Sequence, residues 1–165
     1  MNIPLAFSLE GPLLGQSPVC ELILRALPDW FGVEAALLDY VRAVNDLPTV
    51  VARVEGRPAG FFTVKQHFPQ AAEAYVLGVL PAYHRMGIGR AMFERAEEYL
   101  RALGVVYLQV KTLGPSHPDP GYAATRAFYE RMGFCPLEEF RQLWDESNPC
   151  LVMVKWLGRR TSLHE

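Results

Sequence analysis

Lysine is scarce in this chain of 165 residues: Lys65, Lys111 and Lys155 stand against 13 arginines. With 18 acidic residues the formal net charge is −2, and no segment is strongly basic. Nucleic-acid binding therefore has no electrostatic footprint. Long apolar runs are missing as well. The longest are strand-length and broken by Gly, Pro or charge, which excludes a transmembrane helix of about 20 apolar residues. Met1-Asn2-Ile3-Pro4 lacks the basic start and apolar stretch of a secretory leader. Cysteine is sparse and scattered, at Cys20, Cys135 and Cys150. The odd number and the absence of C-x-x-C indicate neither a disulfide framework nor a zinc site, and a cytoplasmic setting is expected. His67, His84, His117 and His164 have no ligand spacing, so no metal is expected. With no repeat, low-complexity tract or linker, residues 1–165 read as a single domain, long enough for one substantial core.

What is present alternates between strand and helix patterns. Leu5 to Leu9 suits a short first strand. Ser17-Pro18 suits a helix start, with Pro in the first turn, followed by Val19 to Leu27. Glu34 to Val44 carries Ala35, Leu38 and Val41 at helical spacing. Thr49 to Val54 and Ala59 to Lys65 read as a hairpin around Glu55-Gly56-Arg57-Pro58. Glu73 to Leu80 is a further strand, and a strongly amphipathic helix then runs to about Leu103. Val105 to Lys111 is strand-like, residues 122–132 helical, and Phe134 to Phe140 and Cys150 to Trp156 close the chain as strands.

Between the strand ending at Leu80 and the helix after it lies Tyr83-His84-Arg85-Met86-Gly87-Ile88-Gly89-Arg90-Ala91-Met92. A strand, a basic turn with two glycines and a helix form a geometry suited to phosphate. Glycine lets the backbone approach a ligand, and the first helical N–H groups have no intrahelical partner and can be donated to an anion. The spacing is too short for G-x-x-x-x-G-K-[ST] and does not fit G-x-G-x-x-G. It resembles the R/Q-x-x-G-x-G/A signature of the GNAT superfamily, the Gcn5-related N-acetyltransferases. His84 occupies the position usually held by Arg or Gln, with Arg85 one residue later. Downstream, Tyr122 to Phe134 resembles the family's second helix, which ends in F/L-Y-x-x-x-G-F; here Phe128-Tyr129 and Gly133-Phe134 supply the pattern. The element order matches the family over almost the whole chain, although the motifs are specific only across 73–91 and 122–134.

The resemblance implies an α/β fold with a central twisted mixed sheet of about seven strands and about four flanking helices. It implies acetyl-CoA as cofactor, with its pyrophosphate on Arg85, Met86, Gly87, Ile88, Gly89 and Arg90. The backbone of Leu77 and Val79 would pair with the pantetheine arm. Tyr129 aligns with the tyrosine beside the CoA sulfur and would protonate the departing thiolate. The usual Asn seven residues earlier is Tyr122. The implied activity is N-acetyl transfer to a primary amine, on a small molecule or peptide, by direct attack on the thioester. A monomer or homodimer is expected, with no nucleic-acid or membrane partner.

Acetyl transfer needs an unprotonated amine, and alkyl amines are mostly charged at neutral pH, so a base or a water chain removes the proton. Glu73, at the strand start, matches the base position of the histone-acetylating branch; a strand-end carboxylate facing solvent is the competing view. His117, in the loop 113–121, is the rival base, or else a surface loop histidine. Trp30-Phe31, and Leu143-Trp144 in the penultimate loop, either line an acceptor pocket or pack the core. Two other activities fit the same motifs: a non-catalytic acyl-CoA-binding sensor, and transfer of a longer acyl chain.

Overall fold

The computed structural model describes residues 6–158. The readings at Met1–Pro4, at Leu5 and at His164 lie outside the described residues. Seven strands and four helices follow one another as β1 (Ser8–Leu13), α1 (Ser17–Arg25), α2 (Glu34–Val44), β2 (Thr49–Val54), β3 (Arg57–Phe68), β4 (Ala71–Val79), a 3₁₀ turn (Pro81–Tyr83), α3 (Ile88–Ala102), β5 (Tyr107–Leu113), α4 (Pro120–Arg131), β6 (Cys135–Asp145) and β7 (Asn148–Trp156). The strands form one sheet in the order β1-β2-β3-β4-β5-β7-β6. The β4–β5 pairing is parallel, while β1–β2, β2–β3, β5–β7 and β6–β7 are antiparallel. This is the expected mixed seven-stranded sheet with four helices.

The chain divides into two compact units, Met1–Lys65 with Ala74–Ala96, and Gln66–Glu73 with Glu97–Glu165. In the first unit, α1 turns one apolar stripe inward: Val19, Cys20, Ile23 and Leu24 are buried. They pack with Leu37 and Val44 of α2 and with Val51, Phe61 and Val76 of the strands. Burying each such side chain contributes about 1.5–3 kcal/mol. Gly78 of β4 lies beneath this stripe. A Cβ there would come within 2.9 Å of Leu27 Cδ1 and 3.1 Å of Ile23 Cγ2, so the strand presses closely on α1. Trp30 and Phe31 are half-buried against the same core. The β2–β3 hairpin turns on Glu55 and Gly56, both with positive φ, as a type I′ turn requires.

In the second unit, Leu108, Val110, Met153 and Leu157 are buried. Glu97 is buried beside them and meets Lys155 Nζ at 2.6 Å and Arg101 at 3.4 Å. Strand β6 is exposed along nearly its whole length.

Several boundaries differ from the sequence reading. β1 runs on through Gly11-Pro12, beyond the expected end at Leu9, with a register shift between Glu10 and Leu13; an edge strand tolerates Pro. β3 starts at Arg57, because the turn uses two residues and not four, and it continues to Phe68. Leu143 and Trp144 belong to β6 and not to a loop. α4 begins at Pro120, because Asp119 Oδ1 caps it by accepting from the N–H groups of Gly121 (2.8 Å) and Tyr122 (3.3 Å).

Candidate active site

The first unit carries the glycine turn. After the 3₁₀ turn, Arg85 adopts φ 63 and Gly87 φ 83, both left-handed. A non-glycine residue there is uncommon and stores backbone strain, which concentrates at functional positions. A Cβ on Gly87 would meet nothing within 4 Å, so conformation, not crowding, demands glycine at that position. Ala91 is the first residue of the turn to close a helical bond, its N–H donating to Gly87 O at 3.1 Å. The N–H groups of Ile88, Gly89 and Arg90 precede it and lack intrahelical acceptors. The 15 residues of α3 direct the positive end of the helix dipole to the same place. Arg85 and Arg90 are exposed and form no ion pair among the described residues.

His84 is tied inward. Its Nε2 lies 2.6 Å from the Val79 carbonyl. A carbonyl only accepts, so Nε2 carries the proton. Trp30 meets the His84 ring edge-on at 6.5 Å. Where the family carries Arg or Gln, this chain thus pins the start of the turn to the end of β4. Leu77 and Val79 are half-exposed while Val76 and Gly78 are buried, so strand alternation presents 77 and 79 on the more open face. The Val79 carbonyl is engaged by His84 before any ligand arrives.

The second unit holds the proposed acid and base. Tyr129 is buried on α4, its ring 5.8 Å from that of Phe134 (T-shaped) and 5.8 Å from that of Phe128. The helix ends as its motif requires: Gly133 has φ 97, and Phe134 N–H donates to Tyr129 O at 3.0 Å. Tyr122 lies in the first turn of α4, where burial and the neighbouring Asp119 raise its phenol above the usual range.

Glu73 is not a solvent-facing carboxylate. It is 4% exposed. Its Oε1 takes both His67 Nε2 at 2.7 Å and Lys111 Nζ at 3.3 Å. Strand β4 pairs in parallel with β5 at Glu73↔Gln109, and Lys111 is two residues further along β5, on the same face as Gln109. Neither partner was evident from the sequence, because β3 was expected to end at Lys65, short of His67. The parity of Lys111 with Gln109 was the available signal.

His117 is half-buried, and its Nδ1 is buried without a hydrogen-bond partner. Its loop is strapped to β6. Glu139 accepts from Ser116 N–H at 3.0 Å and from Ser116 Oγ at 2.7 Å. A Cβ on Gly114 would fall 2.2 Å from Glu139 Oε1, so a side chain there would push the Glu139 carboxylate out of the clamp. The Ser116 hydrogen bonds, with Arg141 and Arg126 nearby, hold the Glu139 carboxyl below the usual carboxylate range. Among the described residues, no group of three His, Cys, Asp or Glu side chains is placed to hold a metal ion. No helix among them is long and apolar enough to cross a membrane.

Residues 18–134 match the model of the acetyltransferase (GNAT) family. A mycothiol acetyltransferase of Paenarthrobacter aurescens is 30% identical over 134 residues, 78% of this chain and 36% of that protein. The chain spans about a third or less of the length of the curated relatives it matches. Among solved structures, a GNAT-family acetyltransferase fold from Desulfovibrio desulfuricans superposes with TM-score 0.80 at 18% identity, covering 93% of this chain and 100% of that one. A GNAT acetyltransferase of Elizabethkingia anophelis with acetyl-CoA bound gives TM-score 0.70 at 10% identity, covering 91% of this chain and 97% of that one.

Proposed function

Because the chain belongs to the acetyltransferase (GNAT) family, we propose that it transfers an acetyl group from acetyl-CoA to a primary amine of a small molecule or peptide. The observation that carries this reading is the turn into α3. Three backbone N–H groups without helical acceptors, at Ile88, Gly89 and Arg90, stand beside two arginines that form no ion pair. That set fits a doubly charged pyrophosphate: directed donors, a helix N-terminus, and two positive charges. Arg85, Met86 and Gly87 complete the turn, and Leu77 and Val79 present backbone for the pantetheine arm. Acetyl-CoA supplies an activated acyl group as its thioester.

The chain's own residues then manage two protons. Glu73 takes the first from the acceptor's ammonium and passes it to water, which leaves the nitrogen lone pair free to attack. The nitrogen loses its second proton as the amide forms. Tyr129 gives its hydroxyl proton to the departing sulfur and recovers that second proton. One proton reaches solvent and one reaches sulfur, so the exchange balances. The relatives' name makes a mycothiol-related amine the first acceptor to try, with glucosamine, tyramine and an alanyl peptide beside it. A cytoplasmic setting belongs to the same proposal.

The test is calorimetry of CoA with the wild type and with Gly89→Val, followed by assay of thiol release over those amines. A branched side chain at Gly89 obstructs close approach of a pyrophosphate and should abolish binding. Unchanged CoA affinity in a folded Gly89→Val protein would refute the loop assignment. CoA binding with no turnover of any amine would favour a sensor over an enzyme.

A further inference from the structure

One oxygen of Glu73 takes both of the carboxylate's partners. His67 Nε2 and Lys111 Nζ both contact Oε1, at 2.7 and 3.3 Å, and among the described residues Oε2 makes no hydrogen bond. An ammonium can only donate and an ionised carboxylate can only accept. The shared oxygen therefore receives two N–H donors, and the His67 tautomer with hydrogen on Nε2 is the one that fits. The contact draws on three strands: His67 from the end of β3, Glu73 from the start of β4 and Lys111 from the middle of β5. A carboxylate held at one oxygen by two donors cannot rotate freely. Its second oxygen keeps a fixed direction and a free lone pair.

We propose that His67 is a positioning residue for Glu73: with Lys111 it anchors Oε1 and leaves Oε2 as the oxygen that receives the acceptor's proton. This rests on the reading of Glu73 as the base. In the step itself the ammonium N–H bond breaks, nitrogen keeps the electron pair, and the proton bonds to Oε2. The proton then passes to water and the carboxylate is restored. His67 gains and loses nothing in the step; its part is to hold Oε1. The other titratable groups facing the pair are Lys111 on β5 and Cys150 on β7. Burial pushes the Cys150 thiol up to about 11, Glu73 adding to the effect and Lys111 opposing it. The thiol stays protonated across an ordinary assay range and adds no limb.

Three variants test the assignment: His67→Leu, His67→Gln and Glu73→Gln. Each is assayed for kcat and KM across pH with whichever amine of the panel above is turned over fastest, and for CoA affinity by calorimetry. His67→Leu should lower kcat by up to about 10²-fold, the scale of a misplaced reacting group, with CoA affinity unchanged. His67→Gln keeps an N–H donor for Oε1 and should recover most of kcat. A structural role alone would not give a loss that is confined to kcat in His67→Leu and rescued by an N–H donor at the same place. If His67→Leu keeps the wild-type kcat while Glu73→Gln abolishes the acidic limb of the pH profile, His67 does not position the base and the base reading stands. If the limb survives in Glu73→Gln, the base reading falls, and this assignment falls with it.

Discussion

Tyr129 is the residue where burial and chemistry compete most directly. A tyrosine packed between Phe128 and Phe134 would be an ordinary core ring if its hydroxyl did nothing. Phenylalanine separates the two roles, because it keeps the ring and removes only the acid. Tyr129→Phe should leave CoA affinity unchanged and lower kcat by about 10²–10⁴-fold, the usual worth of a positioned acid. An unchanged rate, with the chemical step shown to be limiting, would leave Tyr129 a packing residue and assign the sulfur's proton to water. His84 shows a different kind of substitution at a motif position. The usual long Arg or Gln could reach outward, whereas this imidazole turns back to Val79 O. Under the proposed loop assignment, the positive charge offered to an anion comes from the exposed Arg85 and Arg90.

At the scale of elements, the residues that specify local geometry were the legible ones. α2 occupies Glu34–Val44 as its apolar spacing predicts, and β2 occupies Thr49–Val54. The glycine turn and the Gly133-Phe134 helix exit lie where their motifs put them. Strand ends were less legible because pairing, not composition, sets them. β6 reaches Asp145 because β7 offers partners as far as the Asp145↔Asn148 pair, although Arg141 to Asp145 look like loop in isolation. The candidate site followed the same division. Motif positions could be read along the chain, but Glu73's partners come from strands that are neighbours only in space. The clamp of Glu139 on Ser116 was equally invisible, and it has a pH consequence. Its carboxyl is held below the ordinary value in the fold, so the tie is fully present above the unfolded carboxylate pKa and is lost as pH falls through the lower folded value. The protection factor of the Ser116 amide, its exchange relative to the intrinsic rate at the same pH, should thus stay high at neutral pH and fall below the ordinary carboxylate range. Glu139→Gln should show the low protection at every pH. Protection indifferent to both pH and substitution would mean that the clamp does not order the loop.

At the scale of the whole molecule, cofactor binding and stability are one measurement. A ligand that binds only the folded chain adds RT ln(1 + [L]/Kd), about 2.7 kcal/mol when CoA is at 100 times its Kd. For a chain of this length each kcal/mol moves the melting point by roughly 2–4 °C, so saturating CoA should raise it by roughly 5–11 °C. How much of the chain shares that gain depends on cooperativity. Strands β3 and β4 and helix α3 each contribute residues to both compact units. Melting one unit would fray two strands and a helix in mid-element, and a broken helix must be nucleated again at a cost. We therefore expect a single calorimetric transition that moves as a whole with CoA, with calorimetric and van't Hoff enthalpies in agreement. Gly89→Val should melt in one transition too and ignore CoA. Two transitions in the wild type, of which CoA moves only the one carrying the glycine turn, would show that the units unfold separately and that continuity of β3, β4 and α3 does not couple them.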